Sequence, residues 1–324
     1  MNQLHSRRAF LRRTAGFNLA ASLSPVLVLG AEPSPPPRRW RLCLSPGSIG
    51  VAAKPREVLV LAHQHGFEAV EPNSGFLAGL SAAELADWQA DMKAKGLTWG
   101  AAGLPVEFRG DDARFRTGLS GLPKLAAALQ RAGVDRVGTW ISPGHNQLTY
   151  LENFREHAQR LRELARVLRD QGQRLGLEYV GTPSARQGRR YPFIHSRREA
   201  QELIAEIGTG NVGLVLDSWH WWTARETEAD LLALKPTDVI SVDLNDAPAG
   251  LTLEQQQDGK RELPCVTGVI PTAAFVNALQ QIGYDGPVRA EPFNKAVNDL
   301  ADDAACAAVI GALRKAVALL KSQS

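Results

Sequence analysis

Cysteine is scarce in this chain of 324 residues, and the few cysteines are widely spaced. Cys43, Cys265 and Cys306 form no CxxC or CxxH pattern. Thiolate zinc sites need closely spaced cysteine and histidine ligands, and a disulfide framework needs an even number of cysteines. The sequence therefore argues against a cysteine-ligated zinc site and against a disulfide-bonded scaffold.

Two other patterns are absent from the sequence. No GxGxxG motif follows a predicted strand, which argues against a dinucleotide-binding fold. No segment of about 20 to 50 residues repeats. The composition, with 44% hydrophobic and 22% charged residues, is that of an ordinary globular protein. These observations favour one folded domain.

Net charge is small once the first residues are set aside. Residues 1–31 carry the arginines Arg7, Arg8, Arg12 and Arg13 and no acid. Removing them from a formal net charge of +3 leaves −1. The remaining chain therefore offers no electrostatic case for binding nucleic acid.

The N-terminal residues are typical of an export signal. SRRAFLRR at residues 6–13 resembles the twin-arginine signal, and an apolar stretch over residues 14–31 follows it. Asn18 and Pro25 interrupt that stretch, which makes it a poor membrane span. We therefore predict a signal peptide at residues 1–31 and export of the folded protein to the periplasm by the twin-arginine machinery. A retained membrane anchor and a cytosolic protein are the alternatives.

Short apolar runs alternate with amphipathic ones through the rest of the chain. Strands separated by helices pair in parallel with right-handed crossovers. Eight such units predict an α/β fold, a closed (β/α)8 TIM barrel, rather than an open doubly wound sheet. The predicted domain covers residues 40–324, after a proline-rich spacer at residues 32–39. The eight predicted strands are WRLCLSP from Trp40, FEAVEP from Phe67, LTWGAAG from Leu97, VDRVGTWI from Val134, LGLEYVG from Leu175, VGLVLDS from Val212, DVISVDLND from Asp238 and GPVRAEPF from Gly286.

Acidic residues stand at the carboxyl ends of five of these strands. In a TIM barrel, those ends form one mouth where chemistry takes place. Like charges grouped there need raised pKa values or a cation, and carboxylate oxygens suit a hard divalent cation. The sequence therefore predicts a divalent metal site. The alternative is that each acid caps a helix or pairs with an arginine. The acids are Glu71, Glu178, Asp217, Asp243 and Glu291.

The sequence around these acids resembles the xylose isomerase-like barrel superfamily, which includes D-tagatose 3-epimerase, hydroxypyruvate isomerase and inosose dehydratase. The resemblance rests on LGLEYVG, VLDSWH and RAEPF, and it implies that Glu178, Asp217 and Glu291 bind the metal. Asp243 in SVDLNDAP takes the place of the family's fourth ligand, a histidine. An aspartate there makes the site all-oxygen and more anionic, which favours Mn²⁺ or Mg²⁺ over zinc. The alternative is a metal site that has decayed.

The resemblance further implies a sugar isomerase or epimerase that removes a proton next to a carbonyl and forms an enediolate. Glu178 and Glu291 would be the catalytic base and acid. One alternative is a metal-dependent lyase or dehydratase acting on keto-sugars or 3-keto-glycosides by β-elimination. Another is an inactive carbohydrate-binding barrel. The superfamily's DNA-repair branch uses more histidines than this chain supplies.

Further residues are expected to bind the sugar or keto-glycoside substrate. GLVLDSWHWW at residues 213–222 places a histidine and tryptophans just after a strand-end acid. Histidine can reach a substrate oxygen, and tryptophan offers an apolar wall for a sugar ring. A homo-oligomer is also consistent with the resemblance. The predicted substrate-binding residues are His220, Trp219, Glu71, Arg261 and His145.

Overall fold

The structure is a computed structural model that describes residues 38–321. The predicted export signal at residues 1–31 and most of the predicted spacer lie outside these residues. Signal peptide, spacer and export therefore stay predictions. Within residues 38–321, no helix is both long enough and apolar enough to cross a membrane.

Nine strands of the described chain form one parallel sheet, and two more form a small antiparallel pair. The strands are β1 (Arg41–Leu44), β2 (Ala69–Val70), β3 (Thr98–Trp99), β4 (Ala102–Gly103), β5 (Arg136–Trp140), β6 (Gly144–His145), β7 (Arg174–Glu178), β8 (Tyr191–Pro192), β9 (Val212–Asp217), β10 (Val239–Leu244) and β11 (Pro287–Ala290). In the large sheet they run in the order β3-β2-β1-β11-β10-β9-β7-β5-β4.

The two ends of this order belong to one short segment of chain, residues 98–103. β3 pairs with β2, and β4 pairs with β5. Residues 98–103 therefore connect β2 to β5 and close the sheet into a barrel. All eight predicted barrel strands are present, but LTWGAAG, predicted as one strand, is split into two pieces that pair on opposite sides.

The small pair was not predicted from the sequence. β6 and β8 lie in the loops that follow β5 and β7, and they pair antiparallel, with Gly144 opposite Pro192. Loops that follow parallel strands lie at the carboxyl ends of those strands. This pair therefore ties together two loops at the mouth of the barrel.

Helices lie between the strands and after the last one, and capping residues in the sequence mark where several of them begin or end. At the start of α3 (Ala82–Ala94), Ser81 accepts a hydrogen bond from Glu84 N at 3.3 Å, and the Glu84 carboxylate accepts one from Ser81 N at 2.8 Å. α1 (Pro55–His65) is followed by Gly66, whose φ of 77° lies in the left-handed region that favours glycine. The helices within residues 38–321 are α1 (Pro55–His65), α2 (Ser74–Gly79), α3 (Ala82–Ala94), α4 (Asp112–Ala132), α5 (Tyr150–Asp170), α6 (Pro183–Arg186), α7 (Arg197–Ile207), α8 (Ser218–Thr223), α9 (Glu228–Leu232), α10 (Thr272–Ile282), α11 (Lys295–Asn298) and α12 (Asp302–Val317).

The barrel interior is closely packed just below the strand-end acids. A Cβ atom added at Gly176 would lie 2.8 Å from Val215 Cγ2 and 2.9 Å from Ile240 Cβ. Because side chains alternate along a strand, Gly176 and Val215 face the same way as Glu178 and Asp217, two residues further on. These apolar residues therefore form a floor that holds the acids at the mouth.

Candidate active site

Four of the predicted strand-end acids come together in the structure. Each offers a carboxylate oxygen, and these oxygens lie within 4.8 Å of one another. They come from β7, β9 and β10 and from the position directly after β11. The barrel therefore brings the four predicted metal-ligating side chains into one group, the carboxylate cluster: Glu178, Asp217, Asp243 and Glu291.

Asp217 is fully buried and is held by three donors. Its Oδ1 accepts hydrogen bonds from Trp219 N at 2.7 Å and from Asn245 Nδ2 at 3.0 Å. Its Oδ2 accepts one from Arg261 Nη1 at 2.8 Å. Burial raises the pKa of Asp217 to about 6, although Arg261 lowers it. The bond to Trp219 N makes Asp217 the N-cap of α8, which carries His220.

Glu178 is the least satisfied member of the cluster. Its Oε1 is buried and has no hydrogen-bond partner within residues 38–321. Burial raises the pKa of Glu178 well above its ordinary value, and the charges of Glu291 and Asp217 raise it further. A buried carboxylate oxygen without a donor is costly unless the group is protonated or a cation is present.

Glu291 faces Glu178 and contacts two arginines. Its Oε1 lies 3.1 Å from Arg289 Nη2, and its Oε2 lies 3.3 Å from Arg261 Nη1. Burial nevertheless raises the pKa of Glu291 to about 7, with Arg289 acting in the opposite direction. Glu291 thus titrates close to neutral pH.

The cluster fits a divalent cation. Its four carboxylates contact two guanidinium groups, so its full ionisation leaves two negative charges in excess. The raised pKa values and the unpartnered Glu178 Oε1 show the cost of that excess. The oxygen donors are those that hard cations such as Mn²⁺, Mg²⁺ or Ca²⁺ prefer.

A cavity of about 480 Å³ opens onto the cluster at the mouth of the barrel. A smaller cavity of about 140 Å³ extends toward β4 and β5 and includes Arg289. Glu178, Glu291 and Trp140 line both cavities. The other residues lining the larger one are Ser142, Pro143, Val180, Ala185, Arg189, His220, Asp258, Arg261 and Phe293.

The sequence model of the family described as "Xylose isomerase-like TIM barrel" matches residues 59–320. The chain belongs to this family. It is 23% identical over 264 residues to an inosose isomerase of Bacillus velezensis, covering 78% of this chain and 88% of that one.

Solved structures agree with this family membership. A xylose isomerase domain protein from Alicyclobacillus acidocaldarius subsp. acidocaldarius is similar with a TM-score of 0.77 and 33% identity, over 87% of this chain and all of that one. An IolI protein with a bound zinc atom is similar with a TM-score of 0.72 and 20% identity, over 87% of this chain and 100% of that one. The family and the curated relative support a sugar isomerase or epimerase.

Within the family's barrel, this chain has an arginine that the sequence analysis missed. Arg289 Nε lies 2.6 Å from Asp243 Oδ1, and Arg289 Nη2 lies 3.1 Å from Asp243 Oδ2. The expectation of a more anionic site was therefore incomplete, because a guanidinium pairs with the aspartate that replaces the histidine. Because side chains alternate along a strand, the sequence could have placed Arg289 on the same face as Glu291, two residues later, but not its pairing with Asp243.

Arg261, predicted to bind substrate, is only 2% exposed. Besides Asp217, it contacts Asp258 Oδ1 at 2.9 Å and His220 Nε2 at 3.2 Å. Arginine can only donate, so His220 Nε2 accepts and its proton is on Nδ1. Burial and the charge of Arg261 lower the pKa of His220 to about 3, so this histidine is neutral. His220 and Arg261 both line the larger cavity, and their binding of substrate stays a prediction.

The aromatic wall of the cavity differs from the expected one. Trp219 is fully buried, and its Nε1 donates to Thr182 Oγ1 at 2.7 Å, so it does not reach the cavity. Trp140, 46% exposed, and Phe293, 41% exposed, line the cavity instead. Trp140 is the last residue of β5, and this strand-end position could have indicated from the sequence that it lies at the mouth of the barrel.

The last two predicted substrate-binding residues lie outside the larger cavity. Glu71 accepts a hydrogen bond from Arg289 Nη1 at 3.0 Å and another from Ser45 Oγ. It supports Arg289 from the opposite side to Asp243. His145 Nδ1 accepts a hydrogen bond from Leu148 N at 2.7 Å, which gives it a role in the turn after β6. The structure does not bring His145 into the site.

Proposed function

We infer that this protein is a metal-dependent sugar isomerase or epimerase that removes a proton next to a carbonyl. One observation carries this inference: two buried acids with raised pKa values, Glu178 and Glu291, face the same cavity of about 480 Å³ within 4.8 Å of each other. Paired carboxyl groups of that kind act as general acid and base. The family membership and the inosose isomerase relative support the same reaction class.

The two glutamates are suited to complementary roles. The pKa of Glu291 is about 7, so it can accept a proton from substrate near neutral pH. Burial and the charges of Glu291 and Asp217 raise the pKa of Glu178 well above its ordinary value, so it would be the protonated partner that returns a proton to the resulting enediolate. One carboxyl group that accepts a proton and a second that returns one suit both epimerisation and aldose–ketose isomerisation.

The carboxylate cluster would hold the divalent ion, with Mn²⁺ or Mg²⁺ favoured by its all-oxygen donor set. Such an ion would polarise a carbonyl oxygen and stabilise the negative charge that develops on it. His220 Nδ1, buried and without a hydrogen-bond partner in the described chain, is a free donor in the tautomer imposed by Arg261. Trp140 and Phe293 would cover the apolar face of a sugar ring.

The test is turnover of keto-sugars in D₂O by the metal-loaded protein, followed by NMR and mass spectrometry. Isomerisation and epimerisation both give an isobaric product, apart from deuterium gained at the carbon that receives a proton from solvent. That carbon is the one that lost its proton in epimerisation and the neighbouring former carbonyl carbon in isomerisation. Glu178→Gln and Glu291→Gln should each lower kcat about 100-fold or more. Glu254→Gln, an exposed glutamate paired with Arg225, is the matched control and should keep normal turnover. Near-normal rates in both glutamine variants would contradict the assignment.

A second candidate is β-elimination from a keto-sugar or 3-keto-glycoside. It is favoured by the cavity of about 480 Å³, which lies in the range that takes drug-sized ligands and so has room beyond one sugar ring. A product lighter by water or by an aglycone would identify this reaction. An inactive carbohydrate-binding barrel predicts instead ligand binding that is indifferent to chelator, with no turnover.

A further inference from the structure

Three charged residues form a lateral row across three adjacent strands. Asp243 of β10 is the register partner of Asp217 on β9 and of Arg289 on β11. Like charges directly opposite each other on neighbouring strands are destabilising, whereas opposite charges are favourable. The row therefore places a guanidinium next to the aspartate that would otherwise repel Asp217.

Arg289 engages both carboxylate oxygens of Asp243. Its Nε and Nη2 reach the two oxygens of Asp243 at 2.6 and 3.1 Å, which is the two-pronged geometry specific to arginine. Asp243 is 0% exposed, so this pair is its main source of charge compensation. Glu71 and Glu291 hold the same guanidinium at 3.0 and 3.1 Å and fix its orientation.

The contrast with Glu178 is clear. Glu178 has a buried oxygen that meets no donor within residues 38–321, whereas both oxygens of Asp243 are engaged by one side chain. A cation entering the cluster would meet free electron pairs and unbalanced charge at Glu178. At Asp243 it would meet a carboxylate already neutralised by a fixed positive charge.

We propose that Arg289 is an internal counter-ion that makes Asp243 and Arg289 one neutral unit, and that this unit limits how tightly the cluster binds a divalent cation. Glu178, Asp217 and Glu291 then share the single guanidinium of Arg261 and supply the net negative charge that attracts the ion. Arg289 is a positioning residue that acts through Asp243. The proposal deepens the metal-dependent function above and rests on it.

The experiment is calorimetric titration of Mn²⁺ into chelator-treated protein, with no turnover involved. Arg289→Met removes the positive charge and should tighten Mn²⁺ binding about tenfold or more, because a unit charge a few ångströms away is felt strongly in a buried site. Asp243→Asn alone should weaken binding by a similar factor. The double variant restores neutrality and should return to within about threefold of wild type. Arg289→Lys keeps the charge and serves as the control.

The outcomes separate this proposal from the proposed function. If wild type binds Mn²⁺ and Arg289→Met binds it no more tightly, the proposal is overturned and the metal-dependent function stays intact. A double variant that binds Mn²⁺ as weakly as Asp243→Asn would lead to the same conclusion. Binding by Arg289→Met but not by wild type would support the counter-ion and overturn the metal dependence of the natural protein. No binding by any variant would overturn both.

Folding gives a second readout if Arg289→Met is unstable. Removing one partner of a buried ion pair leaves a buried charge and is strongly destabilising. The neutral-unit proposal then predicts that Asp243→Asn, added to Arg289→Met, raises the melting temperature measured with chelator present. The rise is partial, because Glu71 and Glu291 still lack the guanidinium. A double variant that folds no better than Arg289→Met alone would contradict the proposal.

Discussion

The pH dependence of the free energy of unfolding reports how strongly the carboxylate cluster disfavours ionisation of its members. Glu291 has a pKa raised from an ordinary value of 4.5 to about 7. A carboxyl group of that kind binds its proton more tightly in the folded state than in the unfolded one. Its contribution to stability is therefore fully present below about pH 4.5 and is lost as the pH rises through about 7.

Glu291→Gln should remove this loss, because glutamine is neutral at every pH. The pKa difference corresponds to about 3 kcal/mol. The free energy of unfolding of Glu291→Gln minus that of wild type should therefore rise by about 3 kcal/mol between pH 4.5 and pH 8. The charge of Glu291 also raises the pKa of Glu178, so losing it enlarges the difference in the same direction.

The assay is urea unfolding of both proteins across this pH range with EDTA present. The comparison must be a difference, because the pKa values of the buried histidines His157 and His220 are lowered to about 4 and about 3, and their contributions to stability rise with pH. Both proteins share those histidines. A difference that stays constant or falls with pH would refute the reasoning. It would mean that Arg261 and Arg289 outweigh the burial of Glu291.

Three further predictions concern other parts of the molecule. Trp140→Ala should raise the KM for a sugar substrate about tenfold in a steady-state assay, with a smaller effect on kcat, because it removes an exposed stacking surface. Gly181→Ala should lower the free energy of unfolding by about 1–3 kcal/mol in urea titrations, because its methyl group would press on His220 O and lie 2.9 Å from Ala224 N. Replacing Arg7 and Arg8 by lysine should abolish export by the twin-arginine route, and cell fractionation would then find the protein in the cytoplasm.

The barrel itself was predictable because its information is local. Each strand is a short apolar run bounded by polar or glycine residues, and β10, buried along its whole length, shows the pattern of a strand covered on both faces. The division of LTWGAAG into β3 and β4 was not predictable in this way. Closing the sheet makes this one segment pair with β2 at one end and β5 at the other. That requirement belongs to the whole barrel.

The acids of the site were predictable for a related reason. A residue at the carboxyl end of a parallel strand points to the mouth whatever the exact register, so Glu178 and Asp217 could be placed from strand ends alone. The pairing of Arg289 with Asp243 depends on register between two strands that are 46 residues apart in the chain. Nothing local fixes that register, so the arginine was missed.

The tryptophans illustrate a different limit. Trp219 and Trp140 both follow or end a strand, and both are apolar. α8 begins immediately after β9 and turns the Trp219 side chain inward to Thr182, whereas Trp140 ends its strand without such a turn and stays exposed. Which aromatic residue faces the cavity is decided by the first turn of a short helix, whose direction the sequence pattern does not specify.

The N-cap bond of Asp217 has a consequence for how the site meets its ligands. The same carboxylate that faces the cluster also holds the first turn of α8 through Trp219 N, and that helix carries His220. The rotamers of Asp217 and the orientation of His220 are thus set during folding. Less conformational entropy is then lost when an ion or a sugar arrives. An asparagine at position 217 would keep this preorganisation and remove only the charge, whereas an alanine would remove both.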